Sequence, residues 1–358
     1  MPVKLIAAAR IRYNGVIYEE GNSFLCDSDE DAEELIRDKA AKPYPKPSPE
    51  VIARKIEEGK LKPEDVYPRK KSRRRSRSKA VSIVTAIKDN LQYLEMAVDA
   101  VYKNTRNKFE YIIIDNGSGR EVKNYLIDLQ RKKSNVRIIT NENNMLYAHA
   151  CNQGIKVAKY NYLCMLDADT YVSPGWLKNM MAAFDQDQDC GIVCPSQAAN
   201  KGAVYIEFKL RNKANIQREI SKFQKSLKPE YLEKQIFQVY GFCHLVRREV
   251  YEEIGVYDWK RYYGLASNET DLFWRAGLRG FKIYWAKGVY VHHFHNKIKV
   301  ALGFHPSLMC EKGHEIFRKR QKHPEDYFVK NDVEIKPNID LAYKYNDTYK
   351  QLKPYFNE

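Results

Sequence analysis

The chain predicts an α/β protein: a mostly parallel sheet flanked by helices, with a ligand crevice at the carboxyl ends of its strands. Three observations carry this. Strand-like and helix-like segments alternate between residues 81 and 166 with short turns between them, the pattern of a parallel sheet covered on both faces. The apolar strand runs end abruptly in polar groups, as Ile87 does before Lys88-Asp89-Asn90 and Ile114 does before Asp115-Asn-Gly-Ser-Gly119. The run Tyr162-Leu-Cys-Met-Leu166 releases two carboxylates one residue apart, Asp167 and Asp169.

The elements follow in order. Val81-Ser-Ile-Val-Thr-Ala-Ile87 is a β-branched strand, and residues 91–102 carry Leu91, Leu94, Met96, Ala97, Ala100 and Val101 at helical spacing. A second strand is expected at 111–114, a helix at 121–131, a third strand at 136–139, a helix at 147–158 and the fourth strand at 162–166. Further on, Asn268 is the expected N-cap of an amphipathic helix ending near Gly280. A strand at 282–285 and a turn at Lys287-Gly288 come next.

The two carboxylates are the strongest chemical signal. Acids at the carboxyl end of a strand point into the crevice where open α/β sheets bind ligands. Their hard oxygens suit Mg²⁺ or Mn²⁺, ions usually held by one or two carboxylates plus substrate phosphates. The plainer reading is a polar turn. Gly117-Ser-Gly119 is not a dinucleotide fingerprint, because Val122 stands where the third glycine belongs and the motif follows the second strand. A glycine phosphate loop is also absent from the sequence, so a nucleotide would be held by side chains and a metal. Downstream, Val291-His-His-Phe-His-Asn296 gathers three of the eight histidines. In an extended segment His293 and His295 share one side and His292 takes the other. With no cysteine pair beside them they do not form a structural zinc motif.

With these pieces in order, residues from about 80 to 298 resemble a family 2 glycosyltransferase of the GT-A (Rossmann-like) fold. The matching stretches are Val81-Ser-Ile-Val-Thr-Ala86, Ile112-Ile-Ile-Asp-Asn-Gly-Ser118, Asn143-Asn144, Ala150-Cys-Asn-Gln-Gly-Ile155, Leu166-Asp-Ala-Asp169 and Ser173-Pro-Gly-Trp-Leu177. Gly241, Val246-Arg-Arg-Glu-Val250, Ile254-Gly255 and Asn268-Glu-Thr-Asp-Leu-Phe-Trp-Arg275 continue the match. The resemblance implies a nucleoside-diphosphate sugar donor, UDP-linked above all, and Mn²⁺ or Mg²⁺. It places Thr85, Ala86, Lys88, Asp89, Asp115, Asn152, Asp167 and Ala168 at the nucleotide sugar. Asp169, with Asp167, His293 and His295, is placed at the metal. Asp115 also suits a plain turn in Asp-Asn-Gly-Ser. The base position of the family holds Glu269 here rather than the usual Asp. Asp271 is equally well explained by charge at a helix start, so the base stands between Glu269 and Asp271. The implied reaction is a non-processive, inverting transfer to an acceptor not named by the sequence. The Gln-x-x-Arg-Trp motif of the processive, membrane-embedded synthases is absent.

Composition bounds the rest. In 358 residues with a 44% hydrophobic fraction there is room for one large domain and smaller pieces. No run of 18 apolar residues exists, and the start is too short to be a signal peptide. Seven scattered cysteines favour reduced thiols, with Cys190 and Cys194 as ordinary buried residues. The expectation is a cytoplasmic protein. Residues 1–45 read as a small β-rich module with an Asn14-Gly15 hairpin and a short helix at 28–39. Residues 46–79 read as a proline-rich and basic linker with a helix at 48–58. Residues 80–300 form the transferase domain, and 301–358 a helical and loop extension. The basic run from Arg69 to Lys79, in a chain of net charge +15, reads as a solvated linker, a nucleic-acid anchor or a membrane-surface anchor. The competing functional class is thus a nucleic-acid- or surface-binding protein with a degenerate, non-catalytic transferase domain. Oligomeric state is open.

Overall fold

The computed structural model describes residues 79–198, 204–234, 240–262, 266–295 and 306–321, together with five short strands between residues 3 and 43. The helices expected at 28–39 and 48–58, most of the proline-rich stretch, the basic run up to residue 78 and the tail beyond 321 lie outside the described residues. Two compact units divide the chain, Met1–Lys55 and Ile56–Glu358. In the first, strand Val3–Ala7 pairs antiparallel with Ser23–Cys26 and with Ala41–Pro43. Ile11–Tyr13 and Val16–Tyr18 form the hairpin across Asn14-Gly15.

The second unit is built on a nine-stranded mixed sheet. Its strands are β1 (Val81–Ile87), β2 (Phe109–Asn116), β3 (Val136–Asn141), β4 (Tyr162–Leu166), β5 (Thr170–Val172), β6 (Cys190–Ser196), β7 (Tyr231–Lys234), β8 (Cys243–Arg247) and β9 (Lys282–His293). The order is β5-β9-β6-β8-β4-β1-β2-β3, with β7 also paired to β9. The half expected from the alternation, β4-β1-β2-β3, is wholly parallel. The other half is mixed: β6 and β9 are parallel, while β8 runs antiparallel to both β4 and β6, and β5 and β7 antiparallel to β9. The reversal from β4 to β5 runs through only Asp167-Ala168-Asp169, too short a link for a crossover to a parallel strand.

Helices α1 (Leu91–Asn104), α2 (Arg120–Lys132) and α3 (Tyr147–Val157) cover the parallel half and match the expected spans closely. Leu94, Ala97, Val98 and Val101 are the buried face of α1, three and four residues apart as a helix stripe requires. Buried residues form two clusters, one holding Ile83 with α1 and α2, the other holding Val84 with α3. Alternation along β1 sends neighbours to opposite layers. Helix α4 (Asn268–Leu278) differs at its start: Ser267, with φ 75°, is the N-cap, and Asn268 is already helical. The expected turn at Lys287-Gly288 is a register shift inside β9, where Pro195 faces Ala286 but Ser196 faces Tyr290. Five described cysteines, Cys190 and Cys194 among them, are buried free thiols. No helix among the described residues is long and apolar enough to cross a membrane.

Candidate active site

The carboxyl ends of β1, β2 and β4 lie side by side, because Ile87 pairs with Asp115 and β1 runs beside β4. The strand order reverses there, so polar residues following these strands open onto one crevice. In the turn after β2, Asp115 is buried and its Oδ1 accepts the Ser118 N–H at 2.8 Å. Gly117 sits at φ 81°, and a Cβ there would lie 2.8 Å from the Asn143 carbonyl carbon, so only glycine fits this turn. Asp115 Oδ2 is buried and has no hydrogen-bond partner among the described residues. The two readings of Asp115 are therefore compatible: one oxygen builds the turn and the other is available to a donor.

The other nucleotide candidates are employed differently. Thr85 is buried, and its hydroxyl donates to the Leu166 carbonyl at 2.9 Å. It braces β1 against the end of β4 and offers no side chain to a ligand. Asn152 is employed in the same way. Its amide donates to the Tyr257 carbonyl at 2.9 Å and its oxygen accepts the Tyr257 N–H at 3.0 Å. Both ends of a fully buried side chain are consumed in tethering α3 to the loop before α4. Asp89, at φ 55°, accepts the Gly119 N–H at 2.7 Å at the start of α2 and pairs with Lys88. Burial pushes its carboxyl upward, but the hydrogen bonds from Lys88 and Gly119 outweigh that and hold it below its ordinary value. Ala86 is half-buried, and Ala168 is buried between the two acids.

Asp167, Asp169 and His293 converge. One ligand atom from each lies within 4.8 Å of the other two. His293 Nε2 is 3.3 Å from Asp169 Oδ1 and 3.8 Å from Asp167 Oδ2. The β5–β9 pairing makes this contact, because Thr170 faces His293 and the Phe294 N–H holds the Asp169 carbonyl at 2.9 Å. The Phe242 ring stacks on His293, with centroids 5.0 Å apart and planes 9° from parallel. His295 meets His293 edge-on at 5.3 Å. His292 goes to the other side, bonded to the Tyr290 hydroxyl at 2.7 Å, and burial pushes its imidazole down to about 4. Two carboxylates and one imidazole within such a span fit a divalent cation, and the imidazole suits Mn²⁺ better than Mg²⁺.

The two downstream acids separate cleanly. Asp271 is 0% exposed, as is Arg275. Its Oδ2 takes the Arg275 Nε–H at 2.8 Å and its Oδ1 takes the Tyr262 hydroxyl at 3.2 Å. Arg275 in turn bonds the carbonyls of Ile254 and Val256. Asp271 is thus tied into the scaffold by Arg275 and Tyr262. Its role exceeds helix capping, too. Asp271→Asn leaves a buried guanidinium uncompensated and is expected to cost about 3–5 kcal/mol, read as a lowered urea midpoint at unchanged m.

Glu269 is only half-buried, in the first turn of α4. It packs on Gly241, where a Cβ would lie 2.1 Å from Glu269 Cγ. Burial pushes the Tyr147, Cys151 and Tyr257 groups well above their ordinary values, and the charges of Asp167 and Glu269 add to all three.

Sequence reasoning missed Phe242, Tyr257 and His244. His244 is a polar residue in the apolar strand β8, a signal that was visible. It is fully buried, with Nδ1 2.7 Å from the Gly241 carbonyl and Nε2 2.6 Å from the Tyr257 hydroxyl. Burial pushes its imidazole from 6.5 to about 4. The folded form thus resists a proton that the unfolded chain binds, so stability falls as pH drops from 6.5 toward 4. Urea titrations across that window should show this slope in the wild type and a shallower one in His244→Asn.

Residues 82–255 match the family model described as Glycosyl transferase family 2. Glycosyltransferase GlyG of Streptococcus pneumoniae is 28% identical over 116 residues, 32% of this chain and 38% of that one. Poly-beta-1,6-N-acetyl-D-glucosamine synthase of Staphylococcus aureus is 23% identical over 209 residues, 57% of this chain and 47% of that one. The chain thus covers less than half of each of these two relatives. Among solved structures, GalNAc-T7 with UDP, GalNAc and Mn²⁺ is similar at 18% identity and a TM-score of 0.49, over 76% of this chain and 55% of that one. The match to Glycosyl transferase family 2 thus spans residues 82–255, just under half of the chain.

Proposed function

We propose that this chain is a metal-dependent, non-processive, inverting glycosyltransferase that moves a sugar from a UDP-sugar to an acceptor hydroxyl. The observation that carries the reading is the Asp167–Asp169–His293 cluster at the carboxyl end of β4, with Glu269 packed on Gly241 beside the Phe242 that stacks on His293. When bound there, a divalent cation supplies positive charge to the departing diphosphate. Asp167, Asp169 and His293 would hold it, with His295 beside them. The stack of Phe242 on His293 fixes the imidazole plane.

Asp115 Oδ2 is an acceptor without a partner among the described residues, and uracil presents an imide N–H to such an oxygen. Glu269 is the group left to take the proton of the attacking hydroxyl, given that Asp271 is locked to Arg275. Attack from the side opposite the diphosphate inverts the anomeric carbon. Lys88 and Asp89 frame the ribose side of the crevice.

The test is a panel of nucleotide sugars incubated with Mn²⁺, read as release of nucleoside diphosphate with and without added sugar acceptors. Turnover of a UDP-sugar is the expected result. Turnover of none, together with no binding of UDP, would remove the proposal.

A further inference from the structure

The residues Gly241 and Phe242 touch Glu269, Asp167 and His293 of the candidate site. Gly241 is the floor under Glu269. The Phe242 carbonyl accepts the Asp167 N–H at 2.8 Å, and its ring stacks on His293. Whatever fixes this dipeptide fixes the distance between the base and the metal ligands.

His244 is the side chain that fixes it. A carbonyl oxygen can only accept, so the contact with Gly241 O requires the proton on Nδ1. In the neutral ring Nε2 is then an acceptor, and the Tyr257 hydroxyl must donate to it. Tyr257 is itself immobilised, because both its backbone N–H and its carbonyl are bonded to Asn152 on α3. The His244 ring also meets Phe273 of α4 edge-on at 5.2 Å, and α4 carries Glu269. An unbroken line of hydrogen bonds runs from α3 through Asn152, Tyr257 and His244 to the Gly241 carbonyl. Every polar atom in it that needs a partner has one, the condition under which a buried network rigidifies its surroundings.

We propose that His244 is a positioning residue for sugar transfer: it holds the Gly241–Phe242 backbone against Glu269 and thereby sets the base relative to Asp167 and His293. This rests on the reading of Glu269 as the base. His244 never meets substrate. Its effect is expected chiefly in turnover, because Gly241 meets Glu269 directly whereas Asp169 is held by the Phe294 N–H.

The experiment uses the full chain, the UDP-sugar selected by the panel, and Mn²⁺. It compares His244→Leu, His244→Asn, Tyr257→Phe, Glu269→Gln and the double variant of Glu269→Gln with His244→Leu. Misplacing a catalytic group by a fraction of an ångström to 1 Å lowers kcat by about 10- to 100-fold, the loss expected for His244→Leu. KM for the UDP-sugar and the dissociation constant of UDP with Mn²⁺ should stay near wild type. The amide of His244→Asn can still donate to the Gly241 carbonyl and should recover most of the loss. In the Glu269→Gln background His244→Leu should cost nothing more, because the group it positions is gone. Wild-type kcat in His244→Leu and Tyr257→Phe with only a lowered melting temperature would overturn the inference. So would losses that multiply in the double variant. Should His244→Leu fail to fold, His244→Asn and Tyr257→Phe decide by the same kcat readout. Full turnover in Glu269→Gln would sink the base assignment and this inference together, whereas full turnover in His244→Leu beside an inactive Glu269→Gln sinks this inference alone.

Discussion

Asp169→Ala is expected to lower kcat/KM for the UDP-sugar by about 10³-fold or more, the several kcal/mol that a bound cation supplies to a departing diphosphate. The Asp169 side chain is nearly buried beside Asp167 and His293, so no neighbouring water-exposed acid can replace it. The fold should survive. The backbone carbonyl of Asp169, which receives the Phe294 N–H, is untouched by the substitution. Removing one of two adjacent carboxylates also relieves repulsion in the metal-free protein. The expected pattern is therefore a melting temperature unchanged or raised in EDTA, with loss of the increase that Mn²⁺ gives the wild type. That increase is a linkage effect and reports binding without any turnover. A variant that melts lower in EDTA and still gains stability from Mn²⁺ would place the metal elsewhere.

Glu269→Gln is the second large effect. Loss of a general base lowers kcat by about 10²–10⁴-fold. Gln keeps the length and packing of Glu269 against Gly241, so UDP affinity and melting temperature should stay close to wild type. The contrast with Asp271→Asn is diagnostic. That carboxylate is bound to Arg275 and Tyr262 with no exposure, so its loss appears in stability. A Glu269→Gln protein with full kcat, beside an inactive but well-folded Asp271→Asn, would reverse the assignment.

The parallel half of the sheet was legible because its signals are local. Helix stripes in 91–102 and abrupt polar endings at Ile87, Ile114 and Leu166 need no knowledge of partners, and the observed bounds differ by a residue or two. Alternation also separated His292 from His293 and His295. The mixed half was not legible, because strand direction there depends on pairings between residues as distant as Cys190 and Lys282. Periodicity reports which face is buried and says nothing of what lies opposite.

The same limit explains the individual residues. The resemblance placed Thr85 and Asn152 at the nucleotide, and their hydrogen bonds go to Leu166 and Tyr257, 81 and 105 residues away in sequence. Asp271 and Arg275 stand four residues apart, a spacing that was readable. Their burial was not, since it comes from the carbonyls of Ile254 and Val256. The contact of Gly241 with Glu269 joins the turn before β8 to the start of α4, which no short window spans.

Diffraction at the manganese absorption edge, from crystals grown with Mn²⁺ and UDP, tests the central claim most directly. The account predicts one anomalous peak at coordination distance from Asp169 and His293, about 2.0–2.3 Å, with the diphosphate on the metal and the uracil imide against Asp115 Oδ2. A manganese peak away from the Asp167–Asp169–His293 cluster, or UDP bound with its diphosphate far from it, would contradict the account.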